Sequence, residues 1–468
     1  MNTATPAAPA APRAFAGHPK GLYYLAFTEA WERFSYYGMT ALVVLYMVNQ
    51  LLLPGHVEHV VGLAGVRAAL ESVHGPLSAQ ALASQLFGLY TGFVYFTPLL
   101  GGLIADRWIG QRNAVVIGAL AMSGGHLAMA FEQSFLLALL LLVVGSGFLK
   151  GNISAQVGAL YPRDDESRRT RGFAIFSMAI NFGAVVGPLL CGALAQAFGW
   201  HVGFGIAAVF MLAGLATYLA GYRYLPARVE RRKQEGGPLS RAEWRVVAAL
   251  LVVMVISIFQ SVSYYQLANV LPVWIQAHVA LDAGAFTIPI PWYQSIDPLF
   301  SILGVPVLFW LWARQAARGR EPGDLGKIGL GAWLAAASNL FLVVPIIVAD
   351  GGPVHPFWPF LYCASMGIAF LYYWPTLLAL VSRAAPAKIN ATMMGLAFMC
   401  LFFANNLIGW IGTFYERMTP AQFWSLHAAI GATGGILVLL LGKRLTQVFA
   451  GHADQPLRPS AQTLEVER

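Results

Sequence analysis

The sequence predicts an all-α integral membrane protein of twelve transmembrane helices arranged as two six-helix bundles. Three observations predict it. Of the 468 residues, 58% are hydrophobic and only 11% charged, where a soluble domain carries about 25% charge. The apolar runs are about 20–30 residues long, which suits bilayer-crossing helices and exceeds barrel strands. A basic stretch broken by Gly and Pro interrupts those runs at mid-chain.

The elements follow in order. Residues 1–20 are rich in Ala and Pro and lack an apolar core of the signal-peptide type, so a disordered cytoplasmic tail is expected. Spans one to six fall near 22–52, 84–106, 113–131, 135–160, 172–197 and 202–222, within an N-terminal bundle of 21–222. The linker, 223–245, contains Arg231-Arg232-Lys233-Gln234-Glu235-Gly236-Gly237-Pro238. Spans seven to twelve fall near 246–277, 293–313, 327–349, 356–382, 389–414 and 421–442, within a C-terminal bundle of 246–444. A second cytoplasmic tail, 445–468, closes the chain. Two such halves around a midplane site form an architecture of secondary transporters.

A net charge of +8 raises the question of nucleic acid. Its placement answers it. With both termini cytoplasmic, inner segments hold 25 of the 29 Lys and Arg. The outer loops keep only Arg67 and Arg417, and the membrane holds Arg33 and Lys150. This is the positive-inside asymmetry, and it needs no nucleic-acid partner. The three cysteines, Cys191, Cys363 and Cys400, lie within spans without metal spacing and are expected as small apolar packing residues. His126 and His427 are expected as hydrogen-bonded core residues, and no histidine has metal spacing. No Walker loop, dinucleotide fingerprint or nucleophile elbow occurs, so an enzyme is not expected and an ion gradient is the expected energy source.

Span one carries the chemistry. Within 22–53 only Glu29, Glu32 and Arg33 are charged. On a helix these three share one face with Tyr36 and Tyr37, at i, i+3, i+4, i+7 and i+8. A charge in hydrocarbon costs roughly 2.5–3.5 kcal/mol on insertion scales, which argues for a polar interior where it acts. One arginine cannot neutralise two carboxylates, so at least one acid is expected to hold a proton. Arg33 and Lys150 together offer two cations for one substrate carboxylate, the guanidinium through paired hydrogen bonds. Substrate on Arg33 would release Glu29 or Glu32 to exchange a proton. A structural ion-pair network docking span one to span four is the bland alternative.

The loop Gly101-Gly102-Leu103-Ile104-Ala105-Asp106-Arg107-Trp108-Ile109-Gly110-Gln111-Arg112 resembles the signature of the major facilitator superfamily. Within it, Glu29-x-x-Glu32-Arg33-Phe34-x-Tyr36-Tyr37-Gly38 resembles the proton-dependent oligopeptide transporter family. Gly145-Ser146-Gly147-Phe148-Leu149-Lys150-Gly151-Asn152 and Phe176-Ser177-Met178-Ala179-Ile180-Asn181-Phe182-Gly183 are similar to further family signatures. The resemblance implies proton-coupled uptake of di- and tripeptides, with lipid as surroundings, protons as coupling ion, no cofactor and no obligate protein partner. It places Tyr37, Tyr95 and Asn181 at substrate-contacting positions. Trp374 and Tyr265 would shape side-chain pockets, and Tyr36, Asn152 and Asn405 would support the site. Larger members insert two helices at mid-chain, for which this linker has no room. A bacterial-type inner membrane is the expected location.

The second half departs from the family. Span seven lacks the usual glutamate in Phe259-Gln260-Ser261-Val262-Ser263-Tyr264-Tyr265-Gln266. Phe370 stands where a glutamate that binds the peptide amino terminus is expected, Ala397 replaces a frequent tryptophan, and Gly88 replaces the animal-type histidine. Gln294-Ser295-Ile296-Asp297-Pro298-Leu299-Phe300 carries Asp where the family has Asn. Asp297 either takes the amino-terminal or second proton-binding role, or caps a helix as Asp before Pro often does. The missing glutamate leaves open a family member that moves another small anion, such as nitrate or a carboxylated metabolite. A non-transporting peptide sensor is more remote, because about 25 residues after Lys443 leave no room for a signalling domain.

Overall fold

The computed structural model describes residues 14–15, 17–162, 165–226 and 238–453. Fourteen α-helices lie among them. Before the linker come α1 (Lys20–Tyr46), α2 (Leu63–His74), α3 (Ala79–Ile104), α4 (Gln111–Ala128), α5 (Phe135–Ala159), α6 (Glu166–Phe198) and α7 (Trp200–Gly221). After it come α8 (Arg241–Tyr265), α9 (Leu271–His278), α10 (Tyr293–Ala316), α11 (Asp324–Ala349), α12 (Phe357–Ala384), α13 (Asn390–Gly412) and α14 (Pro420–Ala453). Ten are long and apolar enough to cross a membrane. The other long helices are α1, with its charged and tyrosine-rich middle, and α4, which opens on Gln111-Arg112-Asn113. The short helices α2 and α9 lie in connections.

Helices before the linker pack chiefly on one another: α1 against α6 and α7, α4 against α5 and α7, α3 against α5. Those after it do the same: α11 against α12 and α14, α8 against α13 and α14, α10 against α12. The two sets meet mainly where α3 crosses α13 and α6 crosses α10. Small residues set these distances. A Cβ at Gly88 would stand 2.6 Å from the Asn405 carbonyl and the Gly409 Cα, so no larger side chain fits where α3 crosses α13. At Gly183 a Cβ would lie 2.6 Å from the Phe34 nitrogen and 2.7 Å from the Arg33 Cβ, so this glycine seats α6 directly against the charged turn of α1.

Polar contacts between the sets gather at one end. Asn49 and Gln276 exchange amide hydrogen bonds of 3.0 and 3.2 Å. The Ser295 hydroxyl donates to the Val185 carbonyl at 2.7 Å, and the Trp292 indole to the Leu189 carbonyl at 2.9 Å. Gln80 donates to the Gly412 carbonyl at 3.3 Å, and Ser78 to Glu416.

Several boundaries differ from the sequence expectation. Of the expected N-terminal tail, 1–13 and 16 lie outside the described residues. Ala14–Phe15 (β1) pairs antiparallel with His18–Pro19 (β2), and α1 starts at Lys20. His18 is held there by the Tyr161 hydroxyl, 2.8 Å from its Nδ1. Within the expected linker, 227–237 lie outside the described residues. The helix after it starts at Arg241 because Ser240 and Glu243 form a capping box, with bonds of 3.2 and 2.7 Å. Span seven is not continuous. It breaks at 266–270 into α8 and α9, where Pro272 has no N–H to donate back. The final helix runs through the expected 444 boundary to Ala453.

Candidate functional site

A cavity of about 690 Å³ lies between the two sets of helices. It extends away from the sealed end, from the level of Asp297 and Asn405 toward Leu103, Gly151 and Phe398. From α1 it is lined by Glu29, Arg33, Tyr36 and Tyr37, the face that the 3.6-residue period predicts. Glu32 departs from that face. It is fully buried and does not line the cavity. Arg33 Nε lies 3.0 Å from Glu29 Oε1 and 2.5 Å from Glu32 Oε2. One guanidinium thus serves two carboxylates, one at the cavity wall and one behind it. Glu29 Oε2, both Glu32 carboxylate oxygens and Arg33 Nε have no hydrogen-bond partner among the described residues, so the group is held by charge. That is the arrangement in which a proton on one acid relieves the other.

Lys150 reaches the cavity from α5. Its Nζ stands 4.5 Å from the Tyr36 ring centre and 5.4 Å from that of Tyr95, and Arg33 Cζ is 5.6 Å from the Tyr36 ring. Tyr36 therefore sits between two cations whose charge its ring face tolerates. Among the described residues no carboxylate lies within ion-pair distance of Lys150. Its charge is left for something in the cavity.

Tyr95 on α3 and Tyr265 on α8 hold their hydroxyls 3.4 Å apart, which joins the two sets across the cavity. Asn181 from α6 and Trp374 from α12 line it as expected, with Trp374 edge-on to Phe398 at 5.4 Å between centres. Asn405 lines it too, while its amide donates to the Leu401 carbonyl at 2.7 Å. Asn152 does not. It is buried against its own helix and donates to the Phe148 carbonyl at 2.8 Å, so its supporting role is in packing.

Asp297 lines the cavity from inside α10, four residues past the helix start, and is no terminal cap. The Tyr264 hydroxyl donates to its Oδ2 at 2.5 Å, and its Oδ1 is buried without a partner among the described residues. The Tyr264 ring in turn lies 5.6 Å from that of Phe370. The apolar residue at the expected glutamate position and the new carboxylate are thus joined through one tyrosine. Sequence reasoning missed Tyr264 and Gln294 as lining residues. Tyr264 and Tyr265 are adjacent, which on a continuing helix would turn them about 100° apart. Both line the cavity from the last turn of α8, as the adjacent Tyr36 and Tyr37 do from α1.

The remaining expectations resolve simply. Cys191, Cys363 and Cys400 are free and buried. His427 is buried with Nδ1 2.9 Å from the Phe423 carbonyl. His126 is buried, but neither ring nitrogen has a partner among the described residues, against the hydrogen-bonded role expected of it.

Long apolar helices enclosing a charged, ligand-sized cavity define a multi-pass membrane protein with an internal binding site. A family model described as Major Facilitator Superfamily matches residues 34–409. An uncharacterized transporter YclF of Bacillus subtilis strain 168 is 28% identical, over 92% of this chain and 94% of its own length. A di-/tripeptide transporter of Lactococcus lactis subsp. cremoris is 27% identical, over 93% and 98%. The crystal structure of a peptide transporter POT in complex with sulfate superposes with a TM-score of 0.81 at 27% identity, covering 93% of this chain and 97% of that one. The chain belongs to the major facilitator superfamily, and over more than nine tenths of its length it is similar to peptide transporters within it. It is a transporter, not an enzyme.

Proposed function

We propose that the protein is a proton-coupled symporter that takes up di- and tripeptides across a bacterial-type inner membrane. Twelve helices in two six-helix bundles rock about the central cavity, with both termini cytoplasmic. The sealed end is periplasmic in this reading, and the cavity opens to the cytoplasm. Protons are the coupling ion, and the cycle needs no cofactor and no obligate protein partner.

One observation carries the peptide reading: cations from α1 and α5 and a carboxylate from α10 face the same cavity. A peptide is a zwitterion. Arg33 and Lys150 take its carboxylate, and Tyr37, Tyr95 and Asn181 its backbone. Asp297 takes its amino terminus, or serves as a second proton site. Trp374 and Tyr265 bound the side-chain pockets. Carboxylate arriving at Arg33 competes with Glu29 and Glu32 for one guanidinium, so substrate and proton occupancy are linked. The peptide named for similar transporters supports the same substrate class.

Phe370 favours a second reading, a small anion without an amine, because it removes the usual amine acceptor. Asp297 restores one, which tips the balance toward peptides. The test is uptake of labelled dialanine into proteoliposomes. Accumulation under an inward proton gradient, competed by unlabelled di- and tripeptides and not by amino-blocked peptides, is the expected result. No peptide movement by folded protein would sink the reading in favour of the small anion.

A further inference from the structure

A second concave site lies far from the cavity, at the end of α10. Trp310, Leu311, Arg314, Gln315, Arg318 and Arg320 line a pocket of about 520 Å³. The three arginines are exposed, and none has an ion-pair partner among the described residues. The nearby acids are taken: Glu321 binds Lys327 at 2.6 Å, and Asp324 binds Arg383. Arg314 Cζ lies 5.5 Å from the centre of the Trp310 ring.

The backbone builds this cluster. Gly319 adopts φ +62° and ends the helix. The Arg320 N–H then donates to the Gln315 carbonyl at 2.9 Å, and the Gly319 N–H to that of Ala316 at 2.9 Å. This double bond pattern folds Arg320 back beside Arg314 and satisfies carbonyls of the last turn. The guanidiniums are therefore not needed as caps. Favourable interaction with the helix dipole accounts for one cation near a C-terminus, at about half a charge. It does not account for three.

The pocket also continues an apolar stripe. Leu299, Leu303, Val307 and Trp310 are exposed on α10 at helical spacing, and Arg314 and Arg318 follow on the same line. Apolar contact below and unpaired cations above, with an aromatic ring at the junction, match the cross-section of a lipid. We propose that this pocket binds the phosphate headgroup of an anionic phospholipid, with an acyl chain lying along the Leu299–Trp310 stripe. A soluble phosphate ester shares the headgroup chemistry but has no use for the stripe.

The test uses the purified full chain. Retention of phosphatidylglycerol and phosphatidylcholine is compared by native mass spectrometry for wild type, for Arg314→Gln/Arg318→Gln/Arg320→Gln, and for a Lys443→Gln/Arg444→Gln control. Wild type and control should prefer phosphatidylglycerol, and each arginine removed should weaken that preference about fivefold. Trp310→Ala, which keeps every charge, should weaken lipid retention and leave any binding of glycerol 3-phosphate unchanged. Single-arginine variants serve if the triple variant loses its thermal transition. An equal preference in wild type and the triple variant overturns the proposal. So does displacement of the lipid by micromolar glycerol 3-phosphate, which would assign the pocket to a soluble phosphate ester.

Discussion

Arg33 holds two carboxylates through one nitrogen edge while its neighbour Lys150 holds none, and that imbalance is the chemical core of the site. Arg33→Lys keeps the charge but removes the planar fork. Charge-assisted hydrogen bonds contribute about 1.5–3 kcal/mol, so peptide affinity should fall about 10- to 100-fold, measured by competition binding. Unchanged affinity would remove Arg33 from the binding role. Asp297→Asn keeps the shape and the Tyr264 contact but cannot carry a proton or a charge. Gradient-driven accumulation should be lost while exchange of peptide for peptide persists if Asp297 is the second proton site. Loss of binding itself would assign it to the amino terminus, and no effect on either would give it no role. The stripe on α1 was legible because helical period alone puts Glu29, Arg33, Tyr36 and Tyr37 on one face. Glu32 sits on the edge of that face, and period alone does not say that it lies behind the wall. Asp297 was ambiguous because Asp-Pro reads equally as a helix start. Its place inside α10, beside Tyr264, removes the helix-cap alternative.

Elements were legible where a single chain segment determines them and obscure where two segments do. The long apolar helices followed from hydropathy. The break after Tyr265 did not, because the run of 246–277 is apolar on both sides of the turn and only Gln266, Asn269 and Pro272 mark it. The helix α2 was likewise unforeseen; it buries little besides Leu63, and Gly62 and Gly75, both at positive φ, bracket it. Close crossings yield the sharpest prediction at this scale. Gly183→Val forces side-chain atoms into the Arg33 turn of α1, and overpacking of this kind costs about 1–3 kcal/mol. A lowered unfolding temperature and impaired peptide binding should appear together; an unperturbed variant would contradict the packing account. At the sealed end, cysteines introduced at Asn49 and Gln276 face each other across the two sets. Oxidation should arrest transport, and reductant should restore it, if this contact opens in each cycle. Transport that continues through the cross-link would show that it does not.

At the scale of the whole molecule, the proposal is that two sets of helices, closed at one end, carry opposite charges into one cavity and exchange closure from end to end. Superfamily membership and the peptide reading were legible in the motifs of the first half, and Asp297, Tyr265, Trp374 and Asn405 were legible as candidates in the second, whereas their arrangement around Tyr264 had to be found in the fold. Phe370 and Asp297 show their relation only once α8, α10 and α12 are assembled around Tyr264. The central claim is that peptide and proton cross together. Proteoliposomes loaded with a pH-sensitive dye, with no imposed gradient and with membrane potential clamped, test it most directly. Addition of dialanine outside should acidify the interior, and the acidification should vanish in Glu29→Gln/Glu32→Gln. Entry of labelled dialanine with no change in internal pH would contradict the account.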